Sequence, residues 1–278
     1  MRVKSGRAEG LPYSFSRWTD VPAAKWPWFL NAILAKRSMM AFDPRNAIPY
    51  EWSLAPEDTL GMVFWTKCPD KLAKAPFVLD QYKLKVHVTM TGWHEVEIGA
   101  PSIEEATEAT KRIAGRWGKE NVVWRFSPVP LVEDTLARFE QIAKGVEGSV
   151  DRVYLSFLQE NDRISETRDR ETKLQLMLDM AGVAASRGIR VLLCNEDRTL
   201  AKVNELPENL SAGVCAPPED FGQVGLAPPP SEGCGCVLMV DPFTINETCT
   251  LGCTYCYAAD KNLAPKKRNT TRTLPVVR

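Results

Sequence analysis

Three cysteines near the end of the chain, Cys249, Cys253 and Cys256, are spaced C-x3-C-x2-C in the run Cys-Thr-Leu-Gly-Cys-Thr-Tyr-Cys. Thiolates this close suit three irons of a cubane iron–sulfur cluster. Such clusters normally take four cysteines, so a three-cysteine site leaves one iron open to an outside ligand. Gly252 lets the backbone wrap closely around the metal. The competing chemistry is zinc, which takes four ligands, usually in two close pairs. Cys253 with Cys256 makes one such pair, and Cys234 with Cys236 makes another.

Of the eight cysteines, six fall after residue 200, and the chain has only two histidines, His87 and His94. Cys/His zinc sites and histidine acid–base catalysis therefore have few residues to draw on. In a reducing compartment clustered thiols read first as metal ligands or redox groups. Cys194 ends a strand-like run, and Cys215, Cys234 and Cys236 sit in a Pro/Gly-rich stretch. Four thiolates around a loop with little core of its own suggest a second, fully ligated auxiliary 4Fe-4S cluster. A structural zinc on the same four residues is the alternative. Cys68 stands apart as an unliganded thiol.

Short apolar, β-branched runs recur at 13–16, 60–65, 83–90, 121–126, 151–158, 189–194 and 237–241. Each is bounded by polar or turn residues, as buried parallel strands are. Helical patterns lie between them, at 22–36, 102–117, 132–144 and 172–187. Ser102 with Glu105 forms a capping box, and Gly188 is placed to end the last helix. Strand–helix alternation predicts an α/β fold, a full or partial parallel (β/α) barrel, with functional residues just after the strand ends. The organisation read from the chain is a body at 1–205, an auxiliary metal loop at 206–236, a last strand and cysteine loop at 237–260, and a basic tail at 261–278.

With 278 residues, 44% hydrophobic and 25% charged, the composition is that of a globular protein, and a net charge of zero argues neither for nor against nucleic acid. No run of about 18 apolar residues occurs, so no membrane span is expected. The first residues lack the apolar core of a secretory signal, which makes the cytoplasm the expected compartment.

The segment Cys249–Cys256 resembles the signature of the radical S-adenosylmethionine superfamily, in which an aromatic residue precedes the third cysteine, here Tyr255. Its surroundings, DPFTINETCTLGCTYCYA, resemble the motif region of spore photoproduct lyase relatives. The runs SRWTDVP, VFWTKCP and VVWRFSP, followed by CGC and the C-terminal motif, resemble an uncharacterised, circularly permuted family of unknown-function domains. The resemblance implies a 4Fe-4S cluster on Cys249, Cys253 and Cys256. It also implies Tyr255 beside the adenine, and an electron donor such as flavodoxin or ferredoxin. S-adenosylmethionine would be cleaved to a 5′-deoxyadenosyl radical. The signature usually follows a first barrel strand; here 237–241 takes that strand's place, which makes the barrel permuted.

Polar residues after strands are the candidates for holding cofactor and substrate: Arg17 and Asp20, Thr66 and Lys67, Thr89 and Thr91, Arg125, Gln159, Asn195 and Glu196. An arginine there would pair with the methionyl carboxylate, and Asp20 or Glu196 with ribose hydroxyls or the amino group. Trp65 and Trp124 lie near enough to strand ends to line a pocket, and His87 reads as a packed strand residue. Three substrate readings follow. Relatives of the permuted family are associated with thymidine hypermodification, which implies a radical isomerase acting on an amino-acid-modified thymine in DNA. The basic tail, with Lys266, Lys267, Arg268 and Arg272, would then contact phosphates. The second is a small metabolite or peptide. The third is a non-catalytic, zinc-stabilised nucleic-acid module.

Overall fold

The computed structural model describes residues 3–158, 167–194, 205–222, 235–243 and 249–256. In chain order the strands are β1 (Val3–Ser5), β2 (Tyr13–Phe15), β3 (Ser38–Phe42), β4 (Pro49–Ser53), β5 (Met62–Thr66), β6 (Leu84–Thr89), β7 (Val122–Phe126), β8 (Arg152–Leu155), β9 (Arg190–Leu193) and β10 (Leu210–Ala212). The helices are α1 (Gly6–Glu9), α2 (Val21–Ala24), α3 (Trp26–Asn31), α4 (Asp70–Ala73), α5 (Ile103–Trp117), α6 (Thr135–Val146) and α7 (Arg170–Ala185).

Seven strands form one parallel sheet in the order β10-β9-β8-β7-β6-β5-β2. The expected α/β class with a large parallel sheet is therefore present. Beyond β2 runs the segment 237–241. Val240 donates its N–H to Pro12 O (3.0 Å), and Ser14 donates to Val240 O (2.9 Å), a parallel bridge. At its other end Val237 donates to Ala216 O (2.9 Å), just beyond β10.

The alternation of the strands sets which residues face which side. Phe64, Val86, Trp124, Phe126, Val153, Leu155, Val191 and Leu193 are fully buried in the main core. Trp124 stacks on Phe139 of α6 with centroids 4.7 Å apart, and its indole N–H donates to Met90 O. The opposite face carries Trp65, Thr89, Arg125, Tyr154 and Cys194, which line a cavity. Trp124 is thus not a pocket residue as expected, because it differs by one from Arg125 and points to the helices.

Several boundaries differ from those read in the sequence. The helical pattern at 22–36 divides into α2 and α3, with Lys25 between them outside helical geometry. Pro27 has no N–H to bond across that junction. A second sheet, in the order β1-β4-β3, and strand β10 are additions, the last inside the stretch read as irregular. Helix α5 begins at its capping box, with Ser102 Oγ accepting from Glu105 N–H and Glu105 accepting from Ser102 N–H. Gly188 has φ +67 just past α7, the left-handed conformation expected of it. Among the described residues, no helix is long and apolar enough to cross a membrane.

Candidate active site

A cavity of about 1020 Å³ runs along the inner face of the parallel sheet. At the carboxyl ends of the strands it is walled by Arg17, Lys67, Tyr255 and Cys256. Cys194, Cys215 and Cys236 line it farther round. Arg152 and Arg190, the first residues of β8 and β9, reach its far end. Cys256 of the C-terminal motif and Cys194, Cys215 and Cys236 of the other foreseen group therefore open onto one space.

The C-terminal thiols sit in a small apolar cluster of their own. Cys249, Cys253 and Tyr255 are buried there with Trp93, Val96, Leu158 and Leu251, and Cys256 and Cys68 pack against it. Cys68, read as standing apart, is thus a neighbour of the motif. Burial pushes the Cys253 and Cys68 thiols up to about 12 and raises Cys249 as well. Gly252 adopts φ +66, a conformation that favours glycine between the thiols.

The turn after β6 cradles this loop. Gly99 N–H donates to Leu251 O (2.9 Å) and Thr254 N–H donates to Val96 O (3.0 Å). The ring of Tyr255 stacks on Trp93 at 5.6 Å. The Tyr255 hydroxyl donates to Glu97 Oε1 (2.5 Å), which also accepts from Lys67 Nζ (2.7 Å). Glu97 Oε2 accepts from Thr91 Oγ1 (2.7 Å). Glu97 is only 2% exposed. Sequence reasoning missed it, because it lies eight positions past the end of β6 and outside the rule that looks just after strands.

The backbone contact at Gly99 yields a direct test. A Cβ there would lie 2.7 Å from Leu251 O and 2.9 Å from Leu251 Cα. Both are main-chain atoms, so a Gly99→Ala change must displace the cysteine loop or the turn. The expected result is faster hydrogen exchange at 249–256, with exchange in β5 to β8 unchanged. Equal protection of the loop in both proteins would refute the cradle.

The second group of thiols meets around Cys215. Its Sγ lies 3.0 Å from Cys194 Sγ and accepts from Arg125 Nη1 at 3.0 Å, while Cys236 Sγ accepts from Ala216 N–H at 3.4 Å. Hydrogen bonding from Cys194 and Cys236, with the Arg125 charge, holds Cys215 well below the usual thiol range against the cost of burial. Arg125 also lies over the Trp65 ring, 5.4 Å from its centroid. Cys234 and Glu196, and with them Gln159, Asn195 and the basic tail, lie outside the described residues.

The remaining candidates have definite places. Asp20 is buried and caps α2, accepting from Ala23 N–H (3.0 Å), Thr66 Oγ1 (2.8 Å) and Lys67 N–H (2.7 Å). Burial raises its carboxyl above the usual range. These bonds tie β5 to the α2 start and occupy the carboxylate expected to meet ribose. Asp241 joins β2 to the 237–241 segment, accepting from Ser16 Oγ and from Arg17 N–H (3.1 Å). Thr89 lines the cavity. His87 is fully buried, stacked on Trp65 at 4.2 Å, and burial holds it neutral.

Among the described residues, no group of three or more His, Cys, Asp or Glu side chains forms a ready set for a single metal ion. A single ion needs donors converging at one point, at about 2.3 Å for zinc–sulfur. A cubane instead takes each thiolate on a different iron. Three soft sulfur donors in one apolar cluster, with the Lys67 ammonium beside Glu97, fit the charge and chemistry of such a group.

The chain matches the family described as a domain of unknown function (DUF1848) over residues 13–258. It belongs to that family. No curated protein matches it. Among solved structures, it is similar to a xylose isomerase domain protein from Planctomyces limnophilus, at 17% identity and a TM-score of 0.31. The match covers 46% of this chain and 52% of that one, so it spans about half the length of that structure. At that score the likeness carries no argument.

Proposed function

We propose that this protein is a radical S-adenosylmethionine enzyme whose 4Fe-4S cluster is held by Cys249, Cys253 and Cys256. The observation that carries the reading is the gathering of the three C-x3-C-x2-C thiols, with Cys249 and Cys253 buried in one cluster and Cys256 packed against it, where Tyr255 and Cys256 open onto the large cavity. When bound, such a cluster, reduced by a flavodoxin- or ferredoxin-type donor, supplies reductive cleavage of S-adenosylmethionine to a 5′-deoxyadenosyl radical. The chain's own work is to orient and enclose. Arg17 and Lys67 bring positive charge to the cavity beside the thiols, suited to a carboxylate. Trp65, Tyr154 and Phe157 supply apolar walls that exclude water from a reactive radical.

On this reading the parallel sheet is a permuted barrel, with 237–241 in the place of the first strand and the cysteine loop after it. Cys194, Cys215, Cys234 and Cys236 hold an auxiliary cluster. Support for that comes from three of these thiols facing the same cavity as the motif. The substrate is a nucleobase, an amino-acid-modified thymine undergoing rearrangement, for which the aromatic and cationic walls suit a planar, anionic ligand.

Anaerobically purified protein is expected to be brown, to contain iron and sulfide, and to release 5′-deoxyadenosine when given dithionite and S-adenosylmethionine. Colourless protein with stoichiometric zinc and no such release would overturn the proposal.

A further inference from the structure

The Tyr255 hydroxyl, the Lys67 ammonium and the Thr91 hydroxyl all converge on the Glu97 carboxylate, which is 2% exposed. These three partners come from three separate places, the end of β5, the end of β6 and the cysteine loop, and meet on a residue of the turn at 93–99. Thr91 is itself fixed, since its Oγ1 also accepts from Trp93 N–H (3.1 Å), and Trp93 stacks on Tyr255. Tyr255 lies between Cys253 and Cys256, so its ring and hydroxyl set the direction of both neighbours.

We propose that Glu97 is the positioning residue of the cysteine loop, fixing Cys253 in its buried cluster and Cys256 at the cavity wall through the Tyr255 hydroxyl. Two main-chain bonds also hold the loop to the turn, Gly99 N–H to Leu251 O ahead of Cys253 and Thr254 N–H to Val96 O directly after it. The Glu97–Tyr255 bond adds a side-chain tether one residue before Cys256. The Lys67 ammonium shares this carboxylate in a site with little water, where a hydrogen bond counts for more than in solvent. Glu97 touches no reacting group in this role and acts through Tyr255. The inference concerns the loop's placement and holds whichever metal the thiols bind.

Metal-free protein treated with a small alkylating reagent, with modification followed at each cysteine by mass spectrometry, provides the test. Tyr255→Phe removes one hydroxyl and leaves Glu97 paired with Lys67 and Thr91, so it keeps its fold. Glu97→Ala removes the whole hub, and Glu97→Gln retains an acceptor for the phenol. In Tyr255→Phe and Glu97→Ala, alkylation of Cys253 and Cys256 is expected to rise roughly tenfold or more. That factor follows from losing a hydrogen bond to a charged acceptor. Cys215 should react at its original rate, and the double variant Lys67→Met with Glu97→Gln, which keeps an acceptor for the phenol and leaves no unpaired buried charge, should keep most of the protection. Unchanged rates at Cys253 and Cys256 in Tyr255→Phe would overturn the proposal. So would equal acceleration at Cys215, which marks general loosening. Because no metal enters the measurement, failure here is distinct from failure of the radical-enzyme reading.

Discussion

A chain with Cys249, Cys253 and Cys256 all replaced by alanine should keep its fold and release no 5′-deoxyadenosine above the protein-free background. The thiols lie in a satellite cluster, apart from the main core built on both Trp124 and the helix-facing residues of the sheet. Loss of three sulfur atoms there removes little of the buried area that holds the sheet together. Iron content should fall without vanishing, because Cys194, Cys215 and Cys236 gather elsewhere on the cavity wall and are untouched. Iron and sulfide analysis beside the cleavage assay reads both outcomes. A triple variant that retains all its iron would place the metal on the other thiols and remove the basis of the proposed activity.

The second large effect concerns stability. Lys67→Met should destabilise the protein by about 3–5 kcal/mol, the usual consequence of leaving one member of a buried ion pair alone. The Lys67 side chain is 12% exposed and Glu97 2%, and their atoms meet at 2.7 Å. Methionine copies most of the aliphatic stem, so the change isolates the charge. Adding Glu97→Gln in the same chain should recover a large part of the loss, which a double-mutant cycle in urea measures. A cost below about 1 kcal/mol, the range of exposed pairs, would show that the pair is not buried in solution. The pH dependence has a definite sign. Burial works to lower the Lys67 pKa, but the charges of Glu97 and the neighbouring thiols outweigh it and leave it raised. The pair's contribution is therefore complete below the unfolded lysine value of about 10.4 and is lost as pH rises through the higher folded value. The Lys67→Met protein lacks that alkaline decline.

The fold was legible where periodicity and capping act locally. Helix α5 could be read from Ser102 and Glu105 alone, and each strand of the main sheet except β10 lies within or beside an apolar run. The division of α2 from α3 was harder, since Trp26, Phe29 and Ile33 keep a helical spacing across the break and only Pro27 marks it. Strands β1, β3 and β4 are short, and Met40 and Phe42 of β3 stand exposed, so burial does not announce them. At the site, the grouping of Cys249, Cys253 and Cys256 in one cluster was legible because they lie within eight residues of sequence. Arg125 was legible as a polar residue in an apolar strand, but its partner Cys215 lies 90 residues away and no local pattern links them. Glu97 had no signal at all in one dimension: its meaning comes from Tyr255, 158 positions later.

That separation bears on synthesis. The bonds joining Ser16 to Asp241 and Glu97 to Tyr255 span 225 and 158 residues, so they close only after residues 241 and 255 have left the ribosome. The body of the sheet can condense while translation continues, because its strands pair mostly with near neighbours in sequence. The last thiols then arrive at a cradle that already exists. Assembly in this order keeps the thiols at 249–256 from gathering in their apolar cluster until its scaffold is built.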